Sequence, residues 1–420
     1  MGLRYIEAEG GVPLRGEIEV QGSKNAVLPI LAACLLGETV CTIENCPSIG
    51  DVDDALMILK MVGCKVRKEG STVLIDASEA QKSEIGGAEA VRIRSSVLFL
   101  GALLGKIGKA VLPLPGGCAI GQRPVDLHIE GLTGLGAEFI VKDRITASAS
   151  ELRGCRIRLR IPSVGATENI ILAAVQAEGE TVIENAACEP EILELCRFLN
   201  RRGAEISGKA GGSIHIRGTK RFLPVVYRMS GDRIVAGTYL LAAAATGGSV
   251  CIRNFPHWEL NALLSVLKRM GVGIEVSSKD LLLHADGPLS PVPYVETSPF
   301  PGFPTDLQSP LMAVLCRVPG KSRICEKIFE NRFRTAGELN RMGARIGTDR
   351  NTACIDGVNV LHGAVVDAPD LRGGAALVIA GLQADGRTII RKTEYIERGY
   401  EDICRDLRRL GANISLRDGL

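Results

Sequence analysis

Met61-Val-Gly-Cys-Lys-Val66 closes a leucine-rich run with a glycine, a small residue and the start of a β-forming segment. The same phrase occurs six times, with marker glycines at Gly63, Gly136, Gly203, Gly271, Gly343 and Gly411, spaced by 67 to 73 residues. A period of that length makes the 420-residue chain a sixfold repeat of one supersecondary unit. Each unit begins with an Ala/Leu-rich segment, at 28–36, 98–104, 170–175, 239–245, 311–315 and 375–380. These segments are apolar nearly all round, which predicts helices inside a domain, not on its surface. A short β-branched strand follows, as at 39–43, 181–183, 249–252 and 388–390, then a loop, a second helix and a further strand. The second helices carry the 3.6-residue period, as in Ile192, Leu193, Leu195, Cys196 and Leu199, and end at the marker glycine, where a left-handed residue is needed.

Six α/β units divide naturally into three and three, because a chain this long exceeds what one core serves. The boundary is expected near 228–232, giving one domain over 23–230 and a second over 1–22 plus 231–420, with the active site in the cleft between them. A strand at 16–20 is available to complete either half. Lys and Arg number 50 against 48 Asp and Glu, a net charge of +2 without any basic run. That balance excludes the electrostatic footprint of a nucleic-acid partner. The start, Met1-Gly-Leu-Arg-Tyr-Ile-Glu7, has no apolar leader, and no window reaches the roughly 18 apolar residues of a membrane span. A cytoplasmic protein is expected. None of the 13 cysteines forms a Cys-x-x-Cys pair, so reduced and mostly buried thiols and no zinc are expected.

The repeat places the unusual residues. The start of the apolar helix carries Lys24-Asn25, Arg94, Ser163 to Thr167, Asp232-Arg233, Asp306 and Asp370-Leu-Arg372. Free N–H groups and a positive dipole at such positions suit anions. The loop after the strand carries Cys118 to His128, Glu330-Asn-Arg332 and Glu397 to Glu401. A cleft lined by Lys24, Arg94, Arg123, Arg332, Arg372 and Arg398 would take a small polyanion, since guanidinium forks match phosphate and carboxylate. Asp306 would be one of few carboxylates pointing in, and is the candidate general base. In Leu112-Pro-Leu-Pro-Gly-Gly-Cys-Ala-Ile-Gly-Gln-Arg123, Cys118 stands between glycines with a cation five residues on, which suits an acid or a nucleophile on a presented loop. His128 reads as a structural residue, and Trp258 as surface or domain packing. Gly320-Lys-Ser322 imitates the end of a phosphate-binding loop, but position 315, where its first glycine belongs, is leucine.

The runs Gly22-Ser-Lys-Asn25, Leu114 to His128, Pro162-Ser-Val-Gly-Ala-Thr167, Phe303-Pro-Thr-Asp306, Phe329-Glu-Asn-Arg332 and Arg398-Gly-Tyr-Glu401 closely resemble, in order and over essentially the whole chain, the UDP-N-acetylglucosamine 1-carboxyvinyltransferase family of enolpyruvyl transferases. The resemblance implies a two-domain inside-out α/β barrel of six ββαβαβ-like units, three per domain, closing over its substrates. It implies transfer of the enolpyruvyl group of phosphoenolpyruvate to the 3'-hydroxyl of UDP-N-acetylglucosamine, the first committed step of peptidoglycan synthesis, with no metal or organic cofactor. Cys118 would protonate the enol methylene or form a covalent adduct, and Asp306 would take the hydroxyl proton. Lys24, Arg123, Arg332 and Arg398 would hold phosphate and carboxylate. Asn25, Arg94, Arg123, Pro124, Val125, Asp126, Leu127, Ser163, Val164, Gly165, Asp306, Ile328 and Phe329 would bind the UDP-sugar. The chain departs from the pattern at Ile161-Pro162, where the family often carries a lysine, leaving Arg158 or Arg160 as the nearest cations. Two other readings are a sibling enzyme acting on shikimate 3-phosphate, which does not use the Gly-Gly-Cys loop, and a regulatory UDP-sugar-binding copy, which has no use for an acid and a base together.

Overall fold

The six marker glycines all turn left-handed at the same step of the repeat, with φ of 105°, 99°, 97°, 95°, 92° and 94° in chain order. A side chain there would clash with its own backbone, so glycine ends each second helix and aims the chain into the next strand. The computed structural model describes residues 4–86, 94–114, 125–208 and 212–419. They divide into two units, one built from the described residues between 22 and 229, the other from 4–21 and 230–419. Each unit has its own apolar core.

In the first unit the helices Lys24–Ala33, Leu98–Ile107 and Val164–Ala174 pack on one another. In the second, Arg233–Thr246, Gln308–Leu315 and Leu371–Gln383 do the same. These are the apolar segments of the repeat, buried almost throughout. They begin up to six residues earlier than their apolar runs, except Leu98–Ile107, which starts with its run. The third repeat shows the sheet plan: the strands lie in the order Glu205–Gly208, Ile214–Arg217, Glu180–Glu184, Arg156–Arg158. Glu180–Glu184 pairs parallel with the strand before the buried helix and antiparallel with the closing hairpin. Burial alternates along Glu180–Glu184, so one face meets the helices and the other meets solvent. Helices inside and sheets outside is the inside-out α/β arrangement expected. Hydrogen bonding among the described strands runs within six sheets, one for each repeat.

Strands distant in sequence complete the repeats. Val225–Arg228 pairs parallel with Val40–Glu44 and supplies the strand that the first repeat lacks at its own start. Arg15–Glu19 pairs parallel with Ser249–Arg253 in the fourth repeat, so the strand expected at 16–20 serves the second unit. Arg4–Glu9, which has no counterpart in the sequence reading, lies antiparallel between Arg387–Arg391 and Asn413–Asp418. The second repeat has a three-stranded sheet, with a lone parallel bridge from Glu84 to Val111 in the fourth place. No described helix is long and apolar enough to cross a membrane.

Candidate active site

In the first unit, Gly22 runs so close to the Asn45 carbonyl that a Cβ would lie 1.9 Å from its oxygen, so only glycine passes. Ser23 then caps the helix Lys24–Ala33 by accepting from the Ala26 N–H at 3.4 Å, which places Lys24 and Asn25 in the first turn. Lys24 Nζ lies 2.8 Å from Asp51 Oδ2, with both side chains mostly buried. Asn25 Nδ2 donates to Glu191 Oε1 at 3.4 Å. Burial, reinforced by the neighbouring Glu191 and Glu189, pushes the Glu168 carboxyl well above its usual range. Within the first unit, Lys24 and Asn25 thus stand among carboxylates, Lys24 against Asp51 and Asn25 against Glu191.

Asp126 opens the helix Asp126–Gly134, between the half-buried Val125 and the buried Leu127. Its carboxylate bonds to Arg160 Nη2 at 2.5 Å, and Arg160 also reaches Glu130 at 3.1 Å. Hydrogen bonding to Arg160 holds the Asp126 carboxyl below its usual range. Arg160, the cation next to Ile161, is thus paired with these two carboxylates. Ser163 caps the helix Val164–Ala174, accepting from Ala166 N–H at 3.3 Å, which leaves Val164 and Gly165 at the helix start with their N–H groups outside the helical ladder.

His128 lies beneath that start. Its Nδ1 is 2.9 Å from Asn169 Nδ2, while Asn169 Oδ1 accepts from Gly101 N–H at 2.6 Å. Because the Asn169 amide nitrogen is the donor, Nδ1 is the acceptor and the neutral imidazole carries its proton on Nε2. A Cβ on Gly165 would come within 3.1 Å of the His128 ring, so the glycine lets ring and helix start meet. Burial pushes the His128 imidazole down to about 4, against a small opposing pull from Asp126. The unfolded chain titrates near 6.5 and binds the proton first, so stability is full above about pH 6.5 and falls by roughly 3 kcal/mol as pH drops towards 4. Urea unfolding of the wild type and His128→Gln is expected to show the stability advantage of histidine shrinking by about that amount between neutral and acid pH. An advantage independent of pH would mean that His128 is not buried neutral.

In the second unit the 3-10 turn Thr305–Leu307 presents Asp306 just before the helix Gln308–Leu315. Arg332 Nη2 donates to Asp306 Oδ1 at 2.7 Å and Arg372 Nη2 to Oδ2 at 3.2 Å. Each arginine side chain is only 3% exposed, while Asp306 keeps 26%. Burial works against the Arg372 charge, yet Asp306 and Tyr400 outweigh it and hold the guanidinium above its ordinary range. Two buried cations clamp a carboxylate that keeps part of its surface exposed, an arrangement that fixes its direction.

Glu326, absent from the sequence expectations, organises the rest. Its Oε1 accepts from Thr297 Oγ1 at 2.8 Å, Ile328 N–H at 2.8 Å and Phe329 N–H at 3.2 Å, and its Oε2 accepts from Thr305 Oγ1 at 2.9 Å. The amides of Ile328 and Phe329 are therefore spent on Glu326, and their carbonyls are what the backbone retains for a ligand. Arg332 also lies 5.8 Å from the Phe329 ring centre. Arg398 ends the 3-10 turn Thr393–Arg398, and Gln21 grips the loop after it, donating to Gly399 O at 3.1 Å and accepting from Glu401 N–H at 2.8 Å. Cys118, Arg123 and Pro124 lie outside the described residues, and of Arg94 only the backbone is described, opening the 3-10 turn Arg94–Val97. Trp258 is 53% exposed and edge-on to His257, on the surface as expected.

Residues 8–407 match the sequence profile of EPSP synthase (3-phosphoshikimate 1-carboxyvinyltransferase). The chain belongs to this family of enolpyruvyl transferases. It is 46% identical to UDP-N-acetylglucosamine 1-carboxyvinyltransferase 2 of Caldanaerobacter subterraneus subsp. tengcongensis, over 97% of this chain and 98% of that one. It is 43% identical to UDP-N-acetylglucosamine 1-carboxyvinyltransferase of Geotalea uraniireducens over 97% of both. Among solved structures, the enolpyruvyl transferase NikO from Streptomyces tendae superposes with a TM-score of 0.89 at 26% identity, covering all of both chains. EPSP synthase from Acinetobacter baumannii, at 18% identity and a TM-score of 0.76, shares the fold over 99% of this chain.

Proposed function

We infer that this chain transfers the enolpyruvyl group of phosphoenolpyruvate to the 3'-hydroxyl of UDP-N-acetylglucosamine, releasing phosphate, in the cytoplasmic opening step of peptidoglycan synthesis on which cell shape and division depend. The observation that carries the reading is near-full-length identity of 43% to 46% with enzymes named for that reaction. The Asp306 clamp supports it, because the transfer needs a directed base. In the first half-reaction the sugar oxygen attacks C2 of phosphoenolpyruvate, Asp306 takes the hydroxyl proton, and Cys118 gives a proton to the methylene carbon C3. In the second, C3 loses a proton, the C2–O bond to phosphate breaks, and the enol ether and phosphate leave. Lys24, Arg123, Arg332 and Arg398 hold the phosphate and carboxylate of phosphoenolpyruvate. Asn25, Arg94, Val125 to Leu127, Ser163 to Gly165 and the carbonyls of Ile328 and Phe329 hold the UDP-sugar.

The test is phosphate release from phosphoenolpyruvate with each acceptor in turn. Release with UDP-N-acetylglucosamine and none with shikimate 3-phosphate is expected. The opposite preference would make the chain the sibling enzyme, and binding of the UDP-sugar without release would make it a regulatory copy.

A further inference from the structure

Arg372 is anchored by a hydrogen-bond chain whose direction is fixed by counting protons. Thr238 Oγ1 donates to the Ile234 carbonyl of its own helix at 2.8 Å. A hydroxyl has one proton, so the second contact of Thr238 Oγ1, with Tyr400 Oη at 2.8 Å, must be accepted from the phenol. The phenol proton is then spent, and Tyr400 Oη must accept in its contact with Arg372 Nη1 at 3.3 Å. Arg372 Nη2 reaches Asp306 Oδ2 at 3.2 Å, and Arg372 Nε has no hydrogen-bond partner among the described residues. The guanidinium is therefore held by Asp306 at one corner and by Tyr400 at another. Thr238 and Tyr400 are each 1% exposed and Arg372 2%, so water does not compete for these bonds.

We propose that Tyr400 and Thr238 are positioning residues for the Arg372–Asp306 pair, fixing the guanidinium against the carboxylate through the one-way chain Arg372 to Tyr400 to Thr238 to Ile234. The proposal rests on reading Asp306 as the general base. Burial raises the Tyr400 phenol, although Arg372 opposes it, so the phenol stays a donor across an ordinary assay range. Among the described residues, the charged groups facing the pair include Arg332 on Asp306 and Asp232 beside Arg372 and Tyr400, while Tyr239 donates to Asp406 at 2.9 Å within the same core. Breaking the chain lets Arg372 drift from Asp306. The carboxylate then loses a cationic neighbour, and the pH at which it becomes a base rises.

The test is steady-state turnover against pH for Tyr400→Phe, Thr238→Val, their combination, and Thr238→Ser, with Asp306→Asn alongside. Each of the first two is expected to lower kcat by about tenfold and to move the acid limb of kcat/KM to higher pH, with little change in KM for the UDP-sugar. The double variant should be no worse than the worse single one, because both cut the same chain, and Thr238→Ser, which keeps the hydroxyl, should restore the wild-type profile. Losses that multiply in the double variant, or a lowered melting temperature with an unmoved pH limb, would overturn the proposal. If Asp306→Asn turns over normally, the base assignment fails separately. Non-multiplying losses in kcat would then still support the chain, and unchanged kcat in Tyr400→Phe and Thr238→Val would overturn it.

Discussion

Asp306→Asn is expected to fold and to bind the UDP-sugar while losing turnover by about 10² to 10⁴, the usual effect of removing a general base. Arg332 and Arg372 each donate to a different oxygen of Asp306. An amide offers one acceptor and one NH₂ group, so it can satisfy only one of the two guanidinium groups. The shorter bond, to Arg332, is the one the carbonyl should keep, leaving the NH₂ group towards Arg372. The substitution therefore removes the proton acceptor and also puts two donors face to face. Loss through misplacement and loss through missing basicity are separable: misplacement should weaken the UDP-sugar complex, measured by calorimetry, whereas a missing base lowers kcat at saturating substrate. Near-normal turnover would leave Asp306 a binding role only.

The clamp on Asp306 also shows how far the sequence could be read. Asp306, Arg332 and Arg372 occupy repeat positions where charge has no reason to be in an apolar fold, and that oddity singles them out. Tyr400 lies inside the Arg398-Gly-Tyr-Glu401 run, but an aromatic residue next to a motif reads as packing, and nothing local announces that its hydroxyl meets Thr238, 162 residues away. Asp51 was equally silent. It lies in the first turn of the helix Gly50–Met61, where an acid is ordinary because it complements the helix dipole, yet it pairs with Lys24. Glu326 follows a strand that is half exposed, where a charge reads as a surface residue. Only the convergence of Thr297, Thr305 and the 328–329 amides on it reveals otherwise.

The fold was legible where the signal was local. Glycine, period and apolar helices all repeat within about seventy residues. What escaped was long-range pairing: Arg4–Glu9 finds its partners beyond residue 386, and Val225–Arg228 returns to residue 41. A strand has no sequence mark for which sheet it joins, only for which of its faces is apolar. The closure of the first repeat by Val225–Arg228, and of the sixth by the chain start, is therefore set by packing and not by any local mark in the sequence.

Cys118→Ala is expected to lose nearly all turnover, and Cys118→Asp to retain part of it, because the two substitutions separate proton donation from attack by sulfur. Alanine can do neither. A carboxyl group can deliver a proton to the methylene carbon, so the aspartate variant keeps the general-acid function if that is what the thiol supplies, a contribution typically of about 10² to 10⁴. Alkylation by an epoxide that mimics phosphoenolpyruvate, such as fosfomycin, is a different demand. It requires a polarisable thiolate to open the ring and form a carbon–sulfur bond, with the ring oxygen taking up a proton. Inactivation should therefore vanish in Cys118→Asp while turnover persists. Among the twelve other cysteines, Cys34, Cys41, Cys46, Cys64, Cys316, Cys325 and Cys404 are buried and unreachable, and Cys354 is the exposed one that could compete for the label. Burial pushes the thiols of Cys196, Cys316 and Cys404 up to about 12, which keeps them as unreactive thiols. Mass mapping of the epoxide adduct should place it on Cys118 alone. Labelling at Cys354, or an alanine variant as active as the wild type, would remove the chemical role assigned to Cys118.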